Sequence, residues 1–210
     1  TIEGDSFHRY NRAEMREMVK KAEAGGNKSL SHFGADANLF DKLEEMFKTY
    51  GENGGGKKRY YLHSEEEAEE HNKRLGTSLK PGEFTPWEDI PSGTDMMFYE
   101  GLHGMVVHDK VNMAQYVDLG VGVVPIVNLE WIQKIQRDNK ERGYTPEVIV
   151  DTILRRMPDY VNVITPQFSF TDINFQRVPT VDTSNPFIAR DIPTPDESMV
   201  IIRFKRVDKW

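Results

Sequence analysis

The chain has 210 residues, 38% hydrophobic and 29% charged, with a formal charge of −7 and no cysteine. That length supports a single domain with a full core. The acidic balance argues against general nucleic-acid binding, no apolar run approaches the ~18 residues of a membrane span, and the missing thiols exclude disulfides, thiolate metal sites and cysteine nucleophiles within the chain.

The residues read in order as alternating strands and helices. The stretch IEGDSFHRYNR reads as the tail of a strand that runs into Asp5, with His8, Arg9 and Arg12 close behind. An acid beside cations suits a polar substrate that carries a phosphate or carboxylate. Asn11 and Glu14 form a capping pair for a helix that carries Met15, Met18, Val19 and Ala22, and Gly25-Gly26 stops it. Asp36 is expected to cap a second helix with Leu39, Phe40, Leu43, Met46, Phe47 and Tyr50 as its apolar stripe and Gly51 at its end. GENGGGKK reads as a loop, RYYLH (59–63) as a short strand, SEEEAEEHNKRLG as an acidic, solvated stretch, and TSLKPGEFTPWEDIPSGT as a long polar connection.

DMMFYEGLHG (95–104) and YVDLGVGVVPIVNLE (116–130) do not alternate polar with apolar residues, as expected of strands covered on both faces. A helix over 129–142 follows the second. Thr145-Pro146 opens another helix that is expected to stop before Pro158, and SMVIIRFKR (198–206) reads as a final strand. The alternation predicts a layered α/β fold in one domain, 1–210, with ligands at the carboxyl ends of its strands. Asp5 and Glu100 both fall at such ends.

Glu100, an acid that closes an apolar strand, is placed as phosphoryl-transfer proteins place a carboxylate near Mg²⁺; a solvated strand end is the plainer alternative. Asp5 is suited to accept a proton from a reacting hydroxyl, or simply to cap a turn. Lys134, Asp138 and Arg142 share one helix face with Arg137 beside them, and read either as a ladder of surface ion pairs or as cations on a moving phosphoryl group with Asp138 at the metal. Arg155 and Arg156 near the next helix end suit either the helix dipole or a lid that reaches phosphate. His63 is suited to hydrogen-bond a sugar or phosphate. The histidines show no zinc spacing, and no G-x-x-x-x-G-K-[ST] loop is present; GENGGGKK follows a helix, so it is not read as a nucleotide loop. VDTSNPF (181–187) is turn-forming by composition.

EGDSFHRYNR, FYEGLHG, VGVVPIVNLEWIQKIQRD, RGYT and FQRVPTVDTSNPFIARDIPTPDES, in that order over nearly the whole chain, resemble the bacterial phosphoribulokinase family. The resemblance implies a P-loop NTPase fold like that of the nucleotide monophosphate kinases, layered α/β with a mixed sheet. It implies transfer of the γ-phosphoryl of ATP to the 1-hydroxyl of ribulose 5-phosphate, with Mg²⁺, in Calvin-cycle carbon fixation. It further implies Asp5 as the base; His8, Arg12, Tyr61, His63 and Arg142 as contacts to the sugar phosphate; and Glu100 and Asp138 at the metal. Lys134 and Arg137 would sit on the moving phosphoryl group, with Arg155 and Arg156 in or near the lid and effector region. The first strand and phosphate loop of the family would lie upstream of Ile2, and a further segment beyond Trp210; without them, negligible turnover is expected. The resemblance also implies a cytoplasmic homo-oligomer responsive to NADH, with no nucleic-acid or membrane partner. A kinase of another sugar phosphate or of a nucleoside, and a non-catalytic remnant that binds a phosphorylated metabolite, are the alternatives.

Overall fold

The computed structural model describes residues 1–140 and 143–205. They form two compact units: Thr1–Asp118 with Asp159–Gln167, and Leu119–Pro158 with the residues from Phe168 onward.

In the first unit, β1 (Ile2–Glu3) leads through a 3₁₀ turn, Gly4–Phe7, toward α1 (Arg12–Ala24). The predicted capping box is formed: the Asn11 side chain accepts from the Ala13 and Glu14 amides, and Glu14 accepts from the Asn11 amide. α2 (Phe40–Asn53) buries the predicted stripe of Phe40, Leu43, Met46 and Phe47, but its ends differ from expectation. Asp36 lies in a separate 3₁₀ turn, Ala35–Ala37, and no side chain caps the helix. Gly51 stays helical, and the helix stops at Gly54, whose φ of 72° is the left-handed conformation a terminating glycine adopts without strain.

RYYLH is not a strand. Pairing falls just before it, where β2 (Lys57–Lys58) runs antiparallel to β3 (Glu88–Asp89), and Tyr61 makes a single bridge to Phe84. The acidic stretch is a helix, α3 (Glu65–Leu75): Ser64 caps it, three glutamates occupy its first turn, Lys73 and Arg74 its last, and Gly76 ends it. β4 (Tyr99–Glu100) pairs in parallel with β1, Glu3 opposite Glu100, and a small hairpin joins β5 (Val107–His108) to β6 (Val111–Asn112). The core of this unit gathers Ile2, Phe7, the α2 stripe, Val106, Met113 and Val163. The segment before β4 is not buried on both faces as its composition suggests, since Met96 is 80% exposed.

The second unit holds a mixed three-stranded sheet in the order β7 (Val121–Val124), β8 (Ile173–Pro179), β9 (Ser198–Phe204). β7 and β8 are parallel; β8 and β9 are antiparallel. The final strand was legible in its apolar run, whereas β8, with polar Asn174, Gln176 and Arg177, was not. β7 also departs from expectation: Val121 and Val123 are exposed while Gly122 is buried, so only one face is covered. α4 (Val127–Lys140) and α5 (Pro146–Asp159) pack through Ile135, Ile149 and Ile153, with Trp131 and Met157 beside them. α5 runs past Pro158, because a proline near a carboxyl end removes only one amide bond; a wide π-type turn, Tyr160–Ile164, follows.

Candidate active site

The tips of β1 and β4 carry the two acids expected at strand ends. Parallel pairing places Glu100 opposite Glu3, two residues before Asp5. The chain can bring these tips together only because both turns carry glycine: a Cβ on Gly101 would lie 2.7 Å from the Gly4 Cα.

Asp5 is half-buried. Its Oδ1 lies 3.2 Å from the Nε2 of His8, and its Oδ2 lies 3.8 Å from the Nε2 of His63, beyond hydrogen-bond reach. The hydrogen bond from His8 is the largest influence on Asp5 and holds its carboxyl below the usual value of 3.8; burial opposes this, and the charges of His8, His63 and His32 add to the lowering. His8 itself is buried, bonds through Nδ1 to the Asn38 Oδ1 at 2.7 Å, and stacks on the His32 ring with centroids 4.2 Å apart. Both ring nitrogens of His8 are therefore engaged inside the protein. His63, by contrast, is exposed, with Tyr61 edge-on at 5.0 Å between ring centroids.

Two residues that sequence reasoning passed over build this corner. Arg59 donates to the Ser6 carbonyl at 2.8 Å and the His8 carbonyl at 2.6 Å, and its guanidinium lies over the rings of Phe84 and Trp87. It thus ties the Asp5 turn to the segment that carries Tyr61 and His63. Burial pushes its pKa down to about 10, with Glu14 opposing, so it remains a cation at neutral pH. Gly82, at φ 93°, accepts the Arg12 amide at 2.9 Å, and a Cβ there would meet the Arg12 Cβ at 2.7 Å. Arg12 itself is exposed at the start of α1. A glycine flanked by Pro81 is the one sequence hint of such a turn; nothing in the sequence marks Arg59.

The second unit holds a separate charged cluster on α4 and α5. Asp138 is buried, with Lys134 on its Oδ2 and Arg137 Nε 3.2 Å from its Oδ1. Burial is the main influence on the Lys134 ammonium and lowers its pKa; the Asp138 hydrogen bond opposes this, and the charge of Arg156 adds to it. Lys134, Arg137 and Asp138 thus act on one another as their spacing on α4 suggests, and Arg156 of α5 adds its charge, which the spacing did not suggest. Each oxygen of Asp138 thus has a cation beside it, and each keeps a lone pair beyond that contact. Arg155 is partly buried on α5, and Arg142 lies outside the described residues.

Among the described residues no group of three or more His, Asp or Glu could hold a metal ion, and no helix is long and apolar enough to cross a membrane. Mg²⁺ needs less: it keeps several waters and is held by one or two carboxylates plus substrate phosphates, and the exposed carboxylate of Glu100 at a strand tip fits that role.

Residues 1–184 match the family model described as the phosphoribulokinase / uridine kinase family. The chain belongs to that family. It is 62% identical over 204 residues to a phosphoribulokinase of Nitrobacter vulgaris, a match that spans 97% of this chain and 68% of that protein. It is 63% identical over 203 residues to the plasmid-borne phosphoribulokinase of Cupriavidus necator, with the same shares covered. The solved phosphoribulokinase from Rhodobacter spheroides superposes with a TM-score of 0.86 at 55% identity, over 98% of this chain and 69% of the other. Membership in the phosphoribulokinase family fixes the fold as the P-loop NTPase-like α/β class, and the mixed sheet of β7, β8 and β9 accords with it.

Proposed function

We propose that the protein phosphorylates ribulose 5-phosphate with ATP to give ribulose 1,5-bisphosphate, as a phosphotransferase with an alcohol acceptor in Calvin-cycle carbon fixation. The observation that carries this reading is Asp5: one carboxylate oxygen is tethered to His8, while the other faces exposed His63 with no hydrogen bond to it. That open oxygen accepts the proton of the sugar hydroxyl. An acid with a low pKa suffices, because in a loose phosphoryl-transfer transition state the proton leaves late.

Arg12, His63 and Tyr61 supply the charge and hydrogen bonds for the sugar phosphate, and Arg142 is assigned to the same task. His8 acts from beneath, by fixing Asp5. Glu100 holds Mg²⁺, which when bound neutralises charge on the transferring phosphoryl group. Lys134 and Arg137 are assigned to the moving phosphoryl group, and Asp138, which pairs with both, to the metal as a second acid. Arg155 and Arg156 belong to the lid and effector region; NADH as effector, assembly as a homo-oligomer and a cytoplasmic location are further parts of this proposal.

The test is ADP release by the full-length protein with Mg·ATP and ribulose 5-phosphate, run against other pentose and hexose phosphates and uridine. Ribulose 5-phosphate is expected to give the highest kcat/KM. Faster turnover of uridine or of another sugar phosphate would move the assignment within the family. Binding of sugar phosphate without any ADP release would replace the enzyme by a non-catalytic binder.

A further inference from the structure

We propose that Asn38 is a positioning residue for Asp5, acting through His8 to hold one oxygen of the base and leave the other open. The inference rests on the reading of Asp5 as the base, but its geometry stands alone. Asn38 is 2% exposed, and each polar atom of its side chain is engaged. Its Nδ2 donates to the carbonyls of His32, at 2.9 Å, and Gly34, at 2.6 Å. Carbonyls only accept, so these two bonds settle which end of the amide is nitrogen. The Oδ1 must then face His8, and an amide oxygen can only accept. The proton on the His8 Nδ1, 2.7 Å away, is thereby fixed.

The consequence passes across the ring. With Nδ1 committed to Asn38, the Nε2 turned toward Asp5 either lacks a proton and repels the carboxylate or carries one and donates to it. That nitrogen lies 3.2 Å from Asp5 Oδ1, and it is through this contact that His8 lowers the carboxyl. Asn38 thus orients the imidazole, with a neutral acceptor on one side and the base on the other. The charged and titratable groups around His8 include Asp5 on its own turn, His32 stacked on its ring, Tyr61 with its ring centroid 6.4 Å away, Arg59 on its carbonyl, and His103, whose charge acts on it, while His63 meets the same Asp5.

The backbone makes the placement rigid. His8 and Asn38 form an antiparallel bridge, the Arg9 amide donates to the Ala37 carbonyl and the Leu39 amide to the Phe7 carbonyl, each at 2.8 Å. The segment that enters α2 is therefore laced to the segment that bears the base, and Asn38 is the point where a side chain carries that lacing to the chemistry.

Two measurements decide it. The first is long-range ¹H–¹⁵N correlation on protein labelled with [¹⁵N]histidine, with His8→Gln to assign the signal. His8 is expected to carry a proton on Nδ1 across neutral pH, and Asn38→Ala to lose that preference. A His8 protonated on Nε2 alone overturns the proposal, whatever the substrate proves to be. The second is a double-mutant cycle on kcat for the sugar phosphate, with melting temperature followed in parallel. Asn38→Ala is expected to lower kcat about tenfold or more in the parent, with KM for ATP unchanged, and to have no further effect in the His8→Gln background. An equal loss in both backgrounds, or lower stability at unchanged kcat, overturns it. If the parent gives no turnover, the functional assignment fails while the histidine spectrum still tests Asn38.

Discussion

Asp5 and Asp138 are the same residue in two different electrostatic settings, one in each unit of the molecule. Asp5 sits at a strand tip among histidines and neutral dipoles, with one oxygen tethered and one open. Asp138 sits within a helix, 6% exposed at its side chain, with a lysine and an arginine on its two oxygens. The first arrangement leaves one carboxylate oxygen open; the second sets a cation beside each. What an acid can do is set by which groups occupy its oxygens.

The sharpest way to break that contrast is to neutralise the reactive member. Asp5→Asn keeps the size of the side chain but removes the basic oxygen, so kcat is expected to fall by ~10²–10⁴-fold with KM for ATP nearly unchanged. A loss that appears only in KM for the sugar phosphate would make Asp5 a binding group. The structural member comes next. Asp138→Ala leaves Lys134 buried without its counter-ion and should cost about 3–5 kcal/mol of stability in denaturant unfolding. Lys134→Met with Asp138→Leu should recover much of that, because an apolar pair of similar volume carries no desolvation penalty. Equal destabilisation of the single and double variants would contradict the assignment of Asp138 as the counter-ion.

The smallest effect is one of acidity, and it belongs to the first unit. His103 is buried, donates from Nε2 to the Phe33 carbonyl at 3.1 Å, and is pushed down to about 4 chiefly by that burial. Its proton is therefore bound by the unfolded chain from about pH 6.5 downward but by the folded chain only near pH 4. The stability it contributes is complete above pH 6.5 and is lost as pH falls toward 4, at most about 3 kcal/mol. The Asp5 carboxyl, shifted below 3.8, adds its own loss only under more acidic conditions. Melting temperature against pH should show the first slope in the parent and lack it in His103→Leu. A slope retained in that variant would assign the acid sensitivity to another group.

Much of this was legible in residue order, wherever the signal is local. The capping box at Asn11, the α2 stripe, the start of α5 at Pro146 and the β9 run all report interactions between residues a few positions apart. The misreadings share a cause. SEEEAEEHNKRLG has little apolar periodicity, so the Ser64 cap and the charges at its ends had to be weighed against its polarity. β8 is half-buried along its length, with no alternation to betray it. The apolar runs around Met96 and Val123 imply two covered faces, but composition cannot say what covers them.

The sequence by itself determined which side chains are chemically equipped: an acid after a strand, an acid at a second strand end, and cations at helical spacing on α4. Only the tertiary structure decided how each is used. Asn38, 30 positions from His8, sets that ring, and Arg59, from more than 50 positions away, grips the turn that carries Asp5. Hydrogen bonds close over a few ångströms of space regardless of the length of chain between their partners, so the pattern along the chain shows the groups but not which of them meet.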